Sequence, residues 1–162
     1  MNKTVMRLIL GIMLAGWMII IFWFSNQPAT ESSEISGTIS YRLVEDTDEI
    51  FNWGLTTDQI GNIAGNIEYP IRKAAHMTEY AIFSIFVMIA LIVDGIKGVR
   101  IPVISAVIAI AFAATDEFHQ TFVPGRYGCV LDVLIDAAGS IIGLIIVYIC
   151  LLYTSPSPRD GA

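Results

Sequence analysis

The stretch TDEFHQTFVPGRYGCVLDVLIDAAGSIIG, residues 115–143, places a dense group of polar side chains between two long hydrophobic runs. The rest of the chain is strongly apolar. Of its 162 residues, 55% are hydrophobic and 15% are charged, and the mean hydropathy is +0.68. Ionisable side chains beside membrane-spanning segments are costly to bury and mark functional sites by default. The stretch therefore predicts a polar site in a membrane protein.

Four hydrophobic runs are long enough, or can be extended far enough, to cross a bilayer as helices of about 20 residues. They cover residues 5–24, 71–93, 101–114 with an extension through 116–117, and 130–153. The predicted fold is an all-α integral membrane bundle of four transmembrane helices, forming one domain over residues 1–153. Residues 154–162 contain two prolines and predict a disordered or artefactual tail.

An acidic segment, residues 25–70, joins the first two runs and holds eight of the fifteen acidic residues in a chain of net charge −6. This acidity argues against nucleic-acid binding. Apolar residues recur every three or four positions around Ile39 and Ile63, which predicts two short amphipathic helices on the membrane surface. A mobile solvated loop is the alternative for the first half. The acid run 45–49 and Asn52 indicate a break between the two helices.

Basic residues set the predicted orientation. Lys3 and Arg7 precede the first run, and Lys97 and Arg100 lie between the second and third. The positive-inside rule places both groups in the cytoplasm, with both termini cytoplasmic and the acidic segment outside. The protein is expected in the cell membrane as a multi-pass protein.

With four spans, the start of the second, the end of the third and the start of the fourth lie at the same outer membrane face. Arg72, His76 and Glu79 are spaced by four and three residues, so they share one face of the second helix. Charged residues in a membrane are expected to face one another inside the bundle. The predicted pocket contains Arg72, Lys73, His76, Glu79, Asp116, Glu117, His119, Gln120, Arg126, Asp132 and Asp136.

Several motifs in this order resemble the VanZ-like family of bacterial membrane proteins. They are RKAAHMTEY at 72–80, DEFHQ at 116–120 with PGR at 124–126, Asp132 followed by Gly139, and FSNQP at 24–28. The resemblance extends to about residue 150. It implies a role in the cell envelope and reduced susceptibility to glycopeptide antibiotics, teicoplanin above all. Asp136 departs from the family pattern, which usually has Asn there.

Three interpretations of the pocket remain open. In the first, the protein is an enzyme that acts on a lipid-linked envelope precursor or a lipid phosphate. His76 or His119 would be a general base, or these histidines would bind a divalent metal together with Glu79, Asp116 and Glu117. Arg72, Lys73 and Arg126 would hold phosphate or carboxylate groups.

In the second interpretation the pocket binds a membrane lipid, a lipid-linked precursor or a lipoglycopeptide without chemistry. Gln120, Asp132 and Asp136 then join the basic residues as ligand-binding groups. In the third, the charges only pair with one another and fix the helix register, Arg72 with Asp116 or Glu117, and Arg126 with Asp132 or Asp136. The sequence identifies no cofactor, and it leaves the metal and the oligomeric state open.

Overall fold

The computed structural model describes residues 2–154, without the side chains of residues 152 and 154. Within these residues the protein has five helices and no strand: α1 (Lys3–Ser25), α2 (Ala29–Phe51), α3 (Thr57–Asp94), α4 (Arg100–Gln120) and α5 (Val130–Thr154). Helices α1, α3, α4 and α5 are long and apolar enough to span a membrane. The predicted all-α bundle of four spanning helices is confirmed. Apart from residue 154, which ends α5, the predicted tail lies outside the described residues.

Local sequence signals explain where α2 ends and α3 begins and ends. Asn52 closes α2 in the left-handed conformation, with φ of 51°, which Asn tolerates better than most residues. Thr56 then caps α3 through a reciprocal pair of hydrogen bonds with Gln59. Gly95 ends α3 with φ of 93°. The turn at 52–56 is therefore encoded in the sequence.

The acidic segment differs from its predicted form. Helix α2 continues through the acid run 45–49, in which Asp46 and Glu49 are exposed and Asp48 accepts a hydrogen bond from the Leu55 amide. A stripe of small and apolar residues on the same helix is buried against α3, namely Ser36, Ser40 and Val44. The second amphipathic segment is the first part of α3 and runs without interruption through Pro70 into the spanning part. Helix α3 has 38 residues, about 57 Å of helix, well beyond the hydrocarbon thickness.

Helix α3 is the centre of the bundle, because it packs against each of the other four helices. The main core surrounds its buried residues Tyr80, Phe83 and Val87 and includes Ile21 of α1 and Ala109 of α4. A separate small core joins α2 to the first part of α3 through Val44, Ile60 and Ala64. The two cores lie along the same long helix.

Helices α3 and α5 run parallel and approach closely through small residues of α5. A Cβ atom at Gly139 would lie 2.6 Å from the Cα atom of Met77, and one at Gly143 would also meet the α3 backbone. Ser84 Oγ donates a hydrogen bond to the Ser140 carbonyl across the contact, at 2.9 Å. Glycine at these positions permits a backbone contact that no side chain would leave room for.

The opposite end of the bundle carries a simple ion pair. Arg7 Nε lies 2.6 Å from Asp94 Oδ1, and both side chains are about half exposed. This contact puts the start of α1 beside the end of α3, as four spans require. The placement of this end and of both termini in the cytoplasm remains a prediction.

Candidate functional site

A cavity of about 230 Å³ opens between α2, the middle of α3 and the loop after α4. Four of the predicted site residues line it: Arg72, His76, Glu79 and Arg126. The remaining lining is partly polar and largely apolar, namely Phe24, Gln27, Ser32, Ile35, Ser36, Ile39, Ile71 and Ala75. The cavity thus has charged groups on one part of its wall and hydrocarbon on the rest.

Arg72 reaches from α3 to α2. Its guanidinium forms an ion pair with Glu68, one turn earlier on α3. It also donates hydrogen bonds to Ser33 Oγ at 2.8 Å and Ser36 Oγ at 3.2 Å. These contacts hold the side chain partly buried at the cavity wall, because its Nε and Nη2 atoms both have acceptors. The predicted pairing of Arg72 with Asp116 or Glu117 is therefore wrong.

Arg126 is held by α1 and α4 rather than by a carboxylate. Its Nε donates to the Gln27 carbonyl at 2.8 Å, its Nη1 to Gln120 Oε1 at 3.1 Å and its Nη2 to the Phe24 carbonyl at 3.3 Å. The predicted pairing of Arg126 with Asp132 or Asp136 is also wrong. Burial, followed by repulsion from Arg72, lowers the pKa of the Arg126 guanidinium. An arginine nevertheless stays charged at neutral pH.

The loop that carries Arg126 is tied to the start of α2. The Ala29 amide donates to the Pro124 carbonyl at 3.2 Å. Gly125 has φ of 75°, and a Cβ there would lie 3.1 Å from the Ala29 Cβ. Only glycine adopts this conformation without strain. The PGR motif at 124–126 therefore positions the Arg126 guanidinium by turning the loop tightly against α2.

His76 and Glu79 form a second pair of neighbouring side chains in the cavity wall. His76 Nδ1 lies 3.7 Å from Glu79 Oε2, and the two side chains are 16% and 17% exposed. That separation is too long for a hydrogen bond. Trp17 Nε1 of α1 donates a hydrogen bond to the backbone carbonyl of Glu79 at 2.9 Å and so connects α1 to α3 at this residue. An acid and an imidazole thus share one cavity.

Asp116 and Gln120 of α4 lie behind the cavity and connect it to α1. Ser25 Oγ donates to Asp116 Oδ2 at 2.5 Å, and Gln120 Nε2 donates to Ser25 Oγ at 2.8 Å. All three residues are buried. Because Gln120 also accepts from Arg126, one chain of hydrogen bonds runs from the cavity to Asp116. The other Asp116 oxygen, Oδ1, is buried without a hydrogen-bond partner.

Three further predicted residues lie between α3, α4 and α5. Lys73 Nζ forms an ion pair with Asp132 Oδ1 at 2.6 Å, with side chains 17% and 21% exposed. Glu117 Oε2 accepts from the Cys129 amide at 2.9 Å and so holds the loop in front of α5. These contacts connect the helices and do not reach the cavity wall. They support the structural interpretation for these three residues.

Asp136 and Tyr80 are buried deeper in the bundle. Asp136 is 2% exposed and Tyr80 is fully buried. Neither Asp136 Oδ2 nor the Tyr80 hydroxyl has a hydrogen-bond partner within residues 2–154. Buried polar groups in proteins almost always have a hydrogen-bond partner. These two oxygen atoms are therefore exceptions in the core of the bundle.

His119 lies apart from the cavity. Its ring stacks on Phe22 of α1 with centroids 4.2 Å apart, and its Nε2 lies 3.2 Å from Asn26 Oδ1. Phe22 and Asn26 line a largely apolar groove on the outside of the bundle together with Met18, Ile19, Trp23 and Phe112. His76 and His119 are therefore not assembled into one ligand set. Among the described residues, no group of three His, Cys, Asp or Glu side chains could hold a metal ion.

The chain that forms this cavity matches the model of a known protein family. The family model described as VanZ/LLP1 matches residues 10–152, which is most of the chain. The protein belongs to the VanZ/LLP1 family. It matches no curated protein and no solved structure. Membership confirms the resemblance derived from the motifs and, with four spanning helices, identifies a VanZ-type membrane protein.

The VanZ/LLP1 chain also uses residues that were not predicted as site residues. Phe24, Ser25 and Gln27 belong to the FSNQP motif, which carried the family resemblance, and they contact Asp116 or Arg126. Ser33 and Ser36 of α2 bind Arg72. Ser32, Ser36 and Ser40 recur every four residues in the segment of the first predicted amphipathic helix, so the sequence carries a signal for Ser36 but none for Ser33.

Proposed function

We propose that this VanZ/LLP1 protein binds the anionic headgroup of a membrane lipid or lipid-linked envelope precursor in the cavity between α2 and α3. Arg72 and Arg126 hold the anion, and the apolar part of the wall contacts the hydrocarbon chain. The protein thereby lowers susceptibility to teicoplanin-type glycopeptides at the cell envelope. The cavity is taken to face the outer leaflet, as the predicted orientation requires.

The observation that carries this proposal is that two guanidinium groups share one cavity. Arg72 and Arg126 are near enough to repel each other electrostatically. Arg126 has no ion pair within residues 2–154, and its guanidinium donates hydrogen bonds to neutral acceptors. An anion between the two would relieve that repulsion, and the planar guanidinium fork suits phosphate and carboxylate geometry.

The rest of the wall favours an amphiphile over a free anion. Ile35 and Ile39 of α2 are 43% and 53% exposed and border the cavity opposite Ile71. Such apolar area next to two fixed charges matches a molecule with a charged end and a hydrocarbon end. The link to teicoplanin rests on the family's association, and teicoplanin itself carries an acyl chain. Binding of a lipid headgroup and binding of teicoplanin would use the same cavity.

Teicoplanin susceptibility of a sensitive Gram-positive host tests the proposal. The host would express the wild type or one of three variants, Arg126→Ala, His76→Gln and Glu117→Gln, with membrane levels matched by immunoblot. Protection by the wild type should be lost with Arg126→Ala. Arg42→Ala is the matched control, because Arg42 is on the exposed surface of α2 and pairs only with Glu45. Protection that survives Arg126→Ala would contradict the proposal.

Binding is measured separately on the full chain in detergent. Native mass spectrometry with phosphatidylglycerol should show binding to the wild type and to Arg42→Ala. Arg126→Ala should bind about tenfold or more weakly, because a charge-assisted hydrogen bond contributes about 1.5–3 kcal/mol. Arg72→Gln provides a second variant, since Arg126 also supports the loop. Equal binding by all of these proteins would exclude the cavity as the lipid site.

A second candidate, an acid–base enzyme acting on a lipid phosphate, is favoured by one observation. His76 and Glu79 face the same cavity 3.7 Å apart, and catalytic hydrogen bonds are often long before substrate binds. In that case His76→Gln would abolish phosphate release from a lipid-linked precursor and leave lipid binding unchanged. If His76→Gln protects the host as well as the wild type does, the enzyme candidate fails and the binding proposal stands.

A further inference from the structure

The cavity that carries the proposed function also has an acidic side that the proposal does not use. Glu79 lines the cavity at the point where α1, α3 and α4 meet. Within the described residues its one ion-pair partner is His76, at 3.7 Å, and no lysine or arginine lies within ion-pair distance of it. The Glu79 carboxylate is thus a cavity group without a fixed cation.

The groups behind Glu79 strengthen this side. Asp116 is close enough to Glu79 to act on it electrostatically, is fully buried and leaves Oδ1 without a partner. Asp136 and Tyr80 add two further buried oxygens without partners. Carboxylates in a low-dielectric interior need a positive charge or a proton nearby. None of the described lysines or arginines supplies an ion pair to Glu79, Asp116 or Asp136.

The cavity therefore has two sides of opposite charge. Arg72 and Arg126 form the cationic side, and Glu79 forms the acidic side in front of Asp116. A purely anionic headgroup would match the first side and be repelled by the second. A headgroup with an anionic phosphate and an ammonium would match both, because electrostatic complementarity selects among ligands of similar size.

The geometry points to a lipid headgroup that carries a phosphate and a primary ammonium, with the phosphate on Arg72 and Arg126 and the ammonium on Glu79. This inference rests on the proposed function and narrows its ligand class. A primary ammonium is favoured over a quaternary one because it has three N–H donors.

A lipid competition on the full-length protein tests this inference. Purified, delipidated protein in detergent is mixed with equal amounts of phosphatidylethanolamine, phosphatidylglycerol and phosphatidylcholine of identical acyl chains, and bound lipid is counted by native mass spectrometry. Phosphatidylethanolamine should exceed each of the other two by about tenfold, the effect expected for one hydrogen-bonded charge. Charge attraction to the arginines alone would predict the opposite order, with phosphatidylglycerol first.

Glu79→Gln supplies the matched variant, and Asp58→Asn supplies the control, because Asp58 is an exposed acid in the first turn of the same helix. Glu79→Gln should bring the ratio of phosphatidylethanolamine to phosphatidylglycerol to about one or below, with phosphatidylglycerol binding retained. Asp58→Asn should keep the wild-type ratio. Thermal unfolding of each variant verifies that it is folded.

The outcomes separate the two proposals. Equal binding of phosphatidylethanolamine and phosphatidylglycerol by the wild type would overturn the amine inference and leave anion binding intact. The same holds if Glu79→Gln keeps the wild-type ratio. Absence of binding by all three lipids would overturn both proposals. Since the wild-type ratio is itself decisive, the test does not depend on Glu79→Gln being folded.

Discussion

Along the interface between α3 and α5, one half is closed by small residues and the other half holds charged groups. In the closed half, Gly139 and Gly143 bring the α5 backbone against α3. In the charged half, a few turns nearer the amino ends of both helices, Lys73 pairs with Asp132 while Asp136 lacks a partner for one oxygen. Helices α3 and α5 thus contact each other by close backbone packing in one half and through charged side chains in the other.

The difference predicts that the two halves of the interface contribute unequally to the stability of the bundle. The closed half needs no charge, since close backbone packing is enough to associate membrane helices. The charged half carries a desolvation cost, and replacing buried ion pairs with apolar residues is often neutral or stabilising. We therefore expect the closed half to contribute more to the stability of the bundle than the charged half.

The largest effect on stability is expected from Gly139→Ala. The new Cβ would lie 2.6 Å from Met77 Cα, so the helices must separate. We expect the free energy of unfolding in detergent to fall by about 3 kcal/mol. Gly16→Ala on α1 is the control, because nothing lies within 4 Å of a Cβ there, and its stability should match the wild type. A Gly139→Ala protein as stable as Gly16→Ala would mean that α3 and α5 do not touch at this point.

A smaller effect of opposite sign is expected from Asp136→Asn. The substitution removes a buried carboxylate without a cationic partner and restores the residue usual in the family pattern. Stability near neutral pH should rise by about 1–2 kcal/mol. Asp132→Asn, one turn away on α5, is the matched comparison and should lower stability, because it leaves Lys73 unpaired. If Asp136→Asn destabilises the protein, then Asp136 has a stabilising partner such as a bound cation.

The smallest effect is expected from Arg7→Gln at the opposite end of the bundle. The Arg7–Asp94 pair is about half exposed on both sides, and exposed pairs contribute about 1 kcal/mol or less. Chemical denaturation should show a change within that limit, and the change should shrink further as salt is added. A loss of more than about 2 kcal/mol would show that charge pairing, and not small-residue packing, supports the bundle.

Sequence reasoning found the spanning helices because their hydropathy is unambiguous. The break in the acidic segment was predicted from Asn52 and from the acid run 45–49. Asn52 does end α2, whereas the acid run lies inside α2, because acids on the surface of a helix are compatible with that helix. Thr56 caps the helix that follows. Pro70 was read as the boundary of a span, although the helix passes through it.

The site was predicted in part for the same reason. Spacing along one helix correctly brought Arg72, His76 and Glu79 into one cavity, since helical periodicity is a local property. Pairing between helices is not local, so the predicted partners of both arginines were wrong. Sequence spacing could not show that α2 forms a wall of the cavity. His119 follows Asp116 by three residues, yet it turns to α1 and not to the cavity.

The turn between Asn52 and Thr56 is a suitable place to insert an epitope into this protein of 17.8 kDa. Its residues are exposed except Leu55, which packs against the small core at Val44 and Ile60 of the hairpin that the turn closes. None of the turn residues lines the cavity. An epitope inserted here would report, by antibody access in intact cells, which side of the membrane the hairpin occupies. The same antibody fragment would add the mass and shape that particle alignment in electron cryomicroscopy requires.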